Sequence, residues 1–358
     1  MLLKPNNTIR LLNSQQSDRE FAAGEIVLNS KPSAIFVELT QGCNLRCNMC
    51  RATTIPTKGN SMTSALFDRI AEELFPTAEL VDLRGWGESG ILPEICDRIE
   101  TVLRYGARLR LVTNLSFRND KLMDALLLAN AFVDVSLDAV DPLILKATRT
   151  GSNLQLISQN LKKLTHNGER HENCTLLVTV QRSNIFELPQ IIEFAASHGV
   201  RSVRLFSVTA EPGSPIGIEH YVEEELRASI ARASKRASEL GVTLTAGSRL
   251  GSMPGISALQ STCIHPWKYC NISFDGKVGF CDHLIGPGNE EFFVGSLSEN
   301  TFAELWNCPA LTALRQEHLG ARSPDAAKFG HCAWCYKNKF VDFEYLLAPS
   351  LERYVVEL

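Results

Sequence analysis

An α/β fold built on a parallel sheet, with a smaller unit after it, is what this sequence predicts, and three observations carry that expectation. Short β-branched runs alternate with amphipathic stretches of helical length six times between residues 34 and 240. Threonine, asparagine and glycine stand at the edges of those stretches, where helices are capped. Beyond Ala210 the chain changes to loops rich in Gly, Ser and Pro, which marks a boundary near residue 250. Repeated β/α units form parallel sheets with helices outside, and right-handed crossovers curl six strands into a partial barrel or a doubly wound sheet. Either architecture gathers ligands at the C-terminal ends of its strands.

Residues 1–30 are polar and weakly patterned and read as a cap over one end of the following domain. Strands are expected over residues 34–39, 79–84, 108–113, 132–137, 174–180 and 201–208. Helices are expected over 64–74, 92–104, 120–129, 154–166, 185–198 and 223–240. Thr63, Asn119, Asn153 and Asn184 occupy N-cap positions, and Gly106, Gly168, Gly199 and Gly241 fall at or soon after helix ends. A strand-like run at 242–246 precedes the connector. Residues 263–281 then read as a β-hairpin turning at Asp275-Gly276.

The chain has 358 residues and a formal net charge of -4, with acidic and basic residues interspersed. Without a basic stripe, nucleic acid is not an expected partner. The first residues lack a secretory apolar core and no run reaches membrane-spanning length, so a cytoplasmic protein without a membrane partner is expected. In a reducing compartment the eleven cysteines are better candidates for metal ligands than for disulfides.

Directly after the first strand, Cys43, Cys47 and Cys50 have the spacing CxxxCxxC. Three thiolates so spaced converge on one inorganic centre and leave a fourth position without a protein ligand, whereas structural clusters and zinc sites take four. The second strand runs into Arg84-Gly-Trp-Gly-Glu-Ser-Gly90, whose glycines permit close backbone approach. The third ends in Thr113-Asn114, the fourth in Ser136-Leu-Asp138, and Arg149 follows. In the second unit Cys263 and Cys281 lie near the two ends of the hairpin, and Cys332-Ala-Trp-Cys335 supplies a CxxC pair. Two plus two makes a four-thiolate site, suited to an iron-sulfur cluster or equally to zinc. Cys96, Cys174, Cys270 and Cys308 are left over as buried thiols, with Cys270 placed to act as a substitute ligand or hydrogen-atom donor.

The cysteine triplet resembles the signature of the radical SAM superfamily, in which the open iron of a 4Fe-4S cluster is chelated by S-adenosylmethionine. That resemblance places Met49 against the adenine. Gly85, Gly87 and Glu88 look like the family's "GGE" element, with Trp86 replacing the usual second Gly of its tightest form, and would receive the ammonium group. Asn114 and Ser136 would reach the ribose or carboxylate, and Arg149 would pair with the carboxylate, for which a guanidinium fork is well shaped. Phe206, with Thr179 and Gln181, would line the adenine pocket. Residues 263–335 resemble the auxiliary-cluster module called twitch, a reduced SPASM domain, with Val294-Gly-Ser-Leu and residues 301–306 as its link. No cysteine follows Cys335, so one auxiliary 4Fe-4S cluster is expected.

The resemblance implies a partial (β/α)6 TIM-like barrel over residues 31–250, a small α+β auxiliary-cluster domain over 251–345 and a tail over 346–358. It implies an oxidoreductase or lyase that makes a 5'-deoxyadenosyl radical and takes hydrogen from a small metabolite of sugar, aminocyclitol or nucleoside type in specialised-metabolite (natural product) biosynthesis. A flavodoxin or ferredoxin would be its reductant. The alternatives are a peptide-modifying maturase, transfer of the aminocarboxypropyl group of S-adenosylmethionine, and a non-enzymatic iron-sulfur or zinc protein for electron transfer.

Overall fold

The computed structural model describes residues 7–50, 52, 59–166, 173–208, 214–218, 223–247, 263–281, 292–320 and 355–357. The strands are β1 (Ala34–Val37), β2 (Arg46–Cys47), β3 (Leu80–Asp82), β4 (Arg108–Thr113), β5 (Phe132–Ser136), β6 (Arg149–Thr150), β7 (Cys174–Val180), β8 (Ser202–Ser207), β9 (Thr243–Gly247), β10 (Tyr269–Ile272), β11 (Lys277–Gly279), β12 (Gly295–Ser296) and β13 (Val355–Glu357). The helices are α1 (Asn7–Ala23), α2 (Ser64–Leu74), α3 (Ile95–Tyr105), α4 (Asp120–Leu128), α5 (Pro142–Thr148), α6 (Leu154–Leu164), α7 (Leu188–Ser197), α8 (Glu223–Leu240), α9 (His265–Lys268), α10 (Phe302–Trp306) and α11 (Pro309–Gly320).

The main sheet runs β12-β11-β10-β1-β3-β4-β5-β7-β8-β9-β13. All six expected strands form and pair in parallel in chain order, for example Leu80 with Arg108 and Thr179 with Phe206. The parallel set is longer than the six units read from the sequence. β9 joins β8 in parallel, and β10, from beyond the connector, joins β1 in parallel on the other side. The sheet therefore crosses the boundary placed near residue 250 without a break.

Side-chain alternation separates a barrel-like sheet from a doubly wound one. Ile35, Val37, Val81, Leu109, Leu111, Val133, Val135, Leu176, Val178, Val203 and Leu205 all share one core with the helices. These residues have one parity along their strands, so the helices cover one face only, as in a barrel. α2 shows how: Phe67, Ile70, Ala71 and Leu74 recur at helical spacing and are buried, each large side chain contributing roughly 2 kcal/mol. The opposite, inner face carries Phe36, Asp82, Arg110, Asp134, Ser136, Thr179, Arg204 and Phe206. Its lower end is filled by Ala34, Phe36, Leu80, Ile264 and Tyr269, with Phe21 and Phe132 against them.

Thr63, Asn119 and Asn153 cap their helices as expected, accepting from Leu66, Leu122 and Leu156 N–H. Asn184 does not. Pro189 delays α7 behind a 3-10 turn, and the Asn184 carboxamide instead accepts from Gln181 N–H at 2.8 Å and donates to Asp138 O at 2.8 Å and Thr179 O at 2.9 Å. Gly168 lies outside the described residues. Residues 7–23, expected only as polar cap, form α1. Its Phe21 packs edge-on against Trp267 with ring centroids 5.3 Å apart. The hairpin turns at Asp275-Gly276, with Gly276 in the left-handed region at φ +85°.

Candidate metal centre and cofactor site

The chain leaves β1 through Glu38 and folds back on itself. Thr40 Oγ1 accepts from Gly42 N–H at 3.0 Å and donates to Asn60 O at 3.1 Å. β2, which contains Cys47, then pairs antiparallel with β6, setting Cys47 opposite Arg149. Asn48 N–H extends this pairing by donating to Thr148 O at 3.0 Å. Cys43, Cys47 and Cys50 are all half-buried.

Each of the three sulfurs receives one donor. Leu45 N–H donates to Cys43 Sγ at 3.4 Å, Ala52 N–H to Cys50 Sγ at 3.4 Å, and Arg149 Nη1 to Cys47 Sγ at 3.9 Å. Burial pushes the Cys43 thiol up to about 11, and burial also raises Cys47, against an opposing pull from Arg149. The thiols sense one another's charge, yet among the described residues no three His, Cys, Asp or Glu side chains close on a single ion. Three soft sulfur donors with no fourth protein ligand beside them among the described residues suit a cluster with one open iron, where a structural zinc takes four ligands. Metal binding would deprotonate the thiols outright.

The glycine loop after β3 runs against the cysteine loop. Gly87 N–H donates to Thr40 O at 3.1 Å and Glu88 N–H to Gly42 O at 2.8 Å. A Cβ at Gly87 would lie 2.4 Å from Gly42 O, and one at Gly85 would lie 2.4 Å from Glu38 Cγ. The approach is one that only glycine allows. The Glu88 carboxylate is buried, and accepts from Thr113 Oγ1 at 2.7 Å, Asn114 N–H at 2.7 Å and Gly90 N–H at 3.0 Å. Three of its acceptor directions are thereby filled from inside the protein, while burial raises its pKa.

Asn114 donates to Asn44 Oδ1 at 3.0 Å and accepts from Ser116 N–H at 2.8 Å, and Asn44 donates to Ser116 O at 2.9 Å. The third strand end is thus tied to the cysteine loop. Ser136 and Phe206 lie half-exposed on the inner face, and the Ser136 hydroxyl has no partner among the described residues. Met49 is half-buried in the cysteine loop. Arg149 sits beside Asp138, with Nε 2.8 Å from Oδ2 and Nη2 donating to Oδ1 at 3.1 Å. The cysteine loop, Gly85, Gly87, Glu88, Asn114 and Arg149 are brought together by these bonds.

Sequence reasoning missed Glu38 and Asn44 and gave Asp138 little weight. Glu38 is a buried carboxylate that accepts from Trp86 N–H at 3.1 Å and Phe274 N–H at 3.4 Å, bridging the glycine loop and the hairpin. A charged residue at inward parity, just before the cysteines, was the available signal. In the second unit Cys263 is half-buried before α9 and Cys281 is buried after β11, while Cys332 and Cys335 lie outside the described residues. Cys270 faces the helix-side core from β10 and is fully buried there. Burial drives its thiol strongly upward.

Residues 37–195 match the family model described as the radical SAM superfamily, and residues 263–336 match an iron-sulfur cluster-binding domain. The chain belongs to the radical SAM superfamily. This radical SAM enzyme uses S-adenosylmethionine and a 4Fe-4S cluster, with auxiliary iron-sulfur binding in its C-terminal domain. It is 25% identical over 173 residues to a tungsten-containing aldehyde ferredoxin oxidoreductase cofactor-modifying protein of Pyrococcus furiosus, covering 46% of this chain and 49% of the relative. That match spans about half the relative's length. It is 22% identical over 343 residues to an AdoMet-dependent heme synthase of Methanosarcina barkeri, covering 88% and 91%. Among solved structures, Streptococcus suis SuiB bound to S-adenosylmethionine superposes with a TM-score of 0.66 at 15% identity, covering 90% of this chain and 74% of SuiB. Native anSMEcpe with bound AdoMet gives 0.64 at 12%, covering 85% and 95%. No helix among the described residues is long and apolar enough to cross a membrane.

Proposed function

We propose that this radical SAM enzyme oxidises a small polar metabolite by hydrogen abstraction. The observation that carries the reading is the cysteine loop, whose three sulfurs each receive an N–H donor at the C-terminal mouth of the sheet. When bound, the cofactors supply a 5'-deoxyadenosyl radical at the first site and an electron acceptor at the second. Cys43, Cys47 and Cys50 hold the first cluster. The backbone at Gly85 and Gly87 and the side chains of Asn114 and Ser136 bind the polar groups of S-adenosylmethionine, and Met49 and Phe206 take its adenine, while the Arg149 guanidinium is turned to Asp138 and Cys47. Cys263, Cys281, Cys332 and Cys335 hold one auxiliary cluster, and a flavodoxin or ferredoxin supplies electrons.

The inner face supports a polar substrate. The Arg110–Asp134 pair is buried there, while Arg84, paired with Asp82 at 3.0 Å, and Thr175 and Thr179 on the same face are partly exposed. Such walls orient hydroxyl or charged groups while the helices behind them exclude water. The net change is a two-electron oxidation, for example alcohol to ketone. A peptide substrate is the second reading, favoured by neighbours solved with peptides: SuiB with precursor peptide SuiA, and anSMEcpe with the Cp18Cys peptide.

Anaerobically reconstituted protein is expected to hold about eight irons and to release 5'-deoxyadenosine with dithionite. Zinc at both sites would sink the reading, and methylthioadenosine in place of 5'-deoxyadenosine would indicate aminocarboxypropyl transfer. Mass spectrometry after incubation with aminocyclitols, nucleosides or peptides separates the two substrate classes.

A further inference from the structure

The three sulfurs are not served alike. Cys43 and Cys50 receive backbone N–H groups, whereas Cys47 receives a guanidinium, that of Arg149. Arg149 is fixed in place by the β2–β6 pairing and by Asp138, and its side chain is only 11% exposed. Asp138 is fully buried and holds its own position by accepting from Thr179 N–H at 2.8 Å through Oδ1. The order is therefore carboxylate, guanidinium, sulfur, running from the fully buried Asp138 to the half-buried Cys47. The Nε and Nη2 edge of the guanidinium, the one suited to a carboxylate, is already turned to Asp138.

A reduced iron-sulfur cluster carries one more negative charge than the oxidised form. A cation donating to a ligand sulfur favours the reduced state, and an anion behind that cation weakens the effect. Low local dielectric makes both influences larger than they would be at the surface. We propose that Arg149 and Asp138 are positioning residues that set the reduction potential of the first cluster through the sulfur of Cys47, Arg149 raising it and Asp138 moderating the rise. The proposal rests on the reading of Cys43, Cys47 and Cys50 as ligands of that cluster.

It makes a signed prediction. Arg149→Gln removes the cation and shifts the midpoint potential to more negative values. Asp138→Asn keeps an oxygen for Thr179 N–H, leaves the guanidinium without its counter-charge, and shifts the midpoint to more positive values. Arg149→Lys keeps the charge without the fork and gives a smaller negative shift than Gln.

The measurement is a potentiometric titration followed by electron paramagnetic resonance on anaerobically reconstituted full-length protein, without S-adenosylmethionine. The signal that changes when S-adenosylmethionine is later added identifies the first cluster. Opposed shifts for Arg149→Gln and Asp138→Asn support the proposal. Shifts of the same sign, or none, overturn it, because a merely structural role has no reason to reverse sign with charge. If Arg149→Gln fails to hold iron, the signs of Arg149→Lys and Asp138→Asn decide the matter. Failure of the wild type to form a reducible cluster on these cysteines would instead defeat the underlying functional reading.

Discussion

A single hydrogen atom at Gly87 decides how closely two loops approach. Its absent side chain leaves room for the carbonyls of Thr40 and Gly42, which a Cβ would meet at 2.5 and 2.4 Å. Backbone cannot yield as a flexible side chain can, so Gly87→Ala should push the cysteine loop off its bonds. The expected outcome is loss of more than half of the first cluster's iron after reconstitution, with the secondary structure retained, checked by iron analysis and circular dichroism. Gly85 meets a side chain instead, that of Glu38, and its alanine variant should be milder. The cysteines and glycines were legible because the chemistry needs those residue types at those spacings. Glu38 and Asn44 were not, since each gains its role from backbone groups far along the chain, at Phe274 and Ser116.

Elements were readable where they pack in the usual way and obscure where the fold departs from repetition. α2, α4 and α6 carry an apolar stripe and a side-chain cap, and each begins where its cap predicted. α1 has no clear apolar stripe, and α5 is only seven residues long, held at its start by the Asp141 carboxylate accepting from Leu143 and Ile144 N–H. β6 has two residues and pairs with a strand a hundred positions earlier. No local pattern announces it. Asn184 illustrates the same limit: its position suggests a cap, but its carboxamide ties the ends of β5 and β7. Asn184→Ala leaves two buried carbonyls and one N–H without partners and should cost about 1–3 kcal/mol. Urea unfolding of the two proteins at one pH checks this.

At the scale of the molecule, three distant segments meet at Arg315. This buried guanidinium donates to Pro266 O, Ile26 O and Trp306 O, each at 2.8 Å, joining the N-terminal segment, α9 and α10. Nothing in its sequence neighbourhood marks it. Two buried histidines, one in α11 with Arg315 and one at the end of α7, carry a pH signature. Burial pushes His318 down to about 4, from 6.5, and burial also lowers His198. Both rings are held neutral in the fold, so the unfolded chain binds protons first as the pH falls. Stability from this source is complete above pH 6.5 and is lost as the pH falls toward 4. For His318 alone the loss between pH 7 and pH 5 is about 2 kcal/mol. Urea midpoints at the two pH values should therefore converge in His318→Gln relative to wild type.

The seam between β10 and β1 has a further meaning for how such an enzyme is divided and modified. Ala34 through Val37 have Tyr269 through Ile272 as their neighbours on one side, so the strand that launches the cysteine loop borrows its lateral partner from the far half of the polypeptide. Severing the chain at the connector would bare that flank as a sticky edge beside the metal-binding turn. The two halves are consequently poor cassettes for exchange, and a graft of a foreign auxiliary domain must first recreate this shared ribbon.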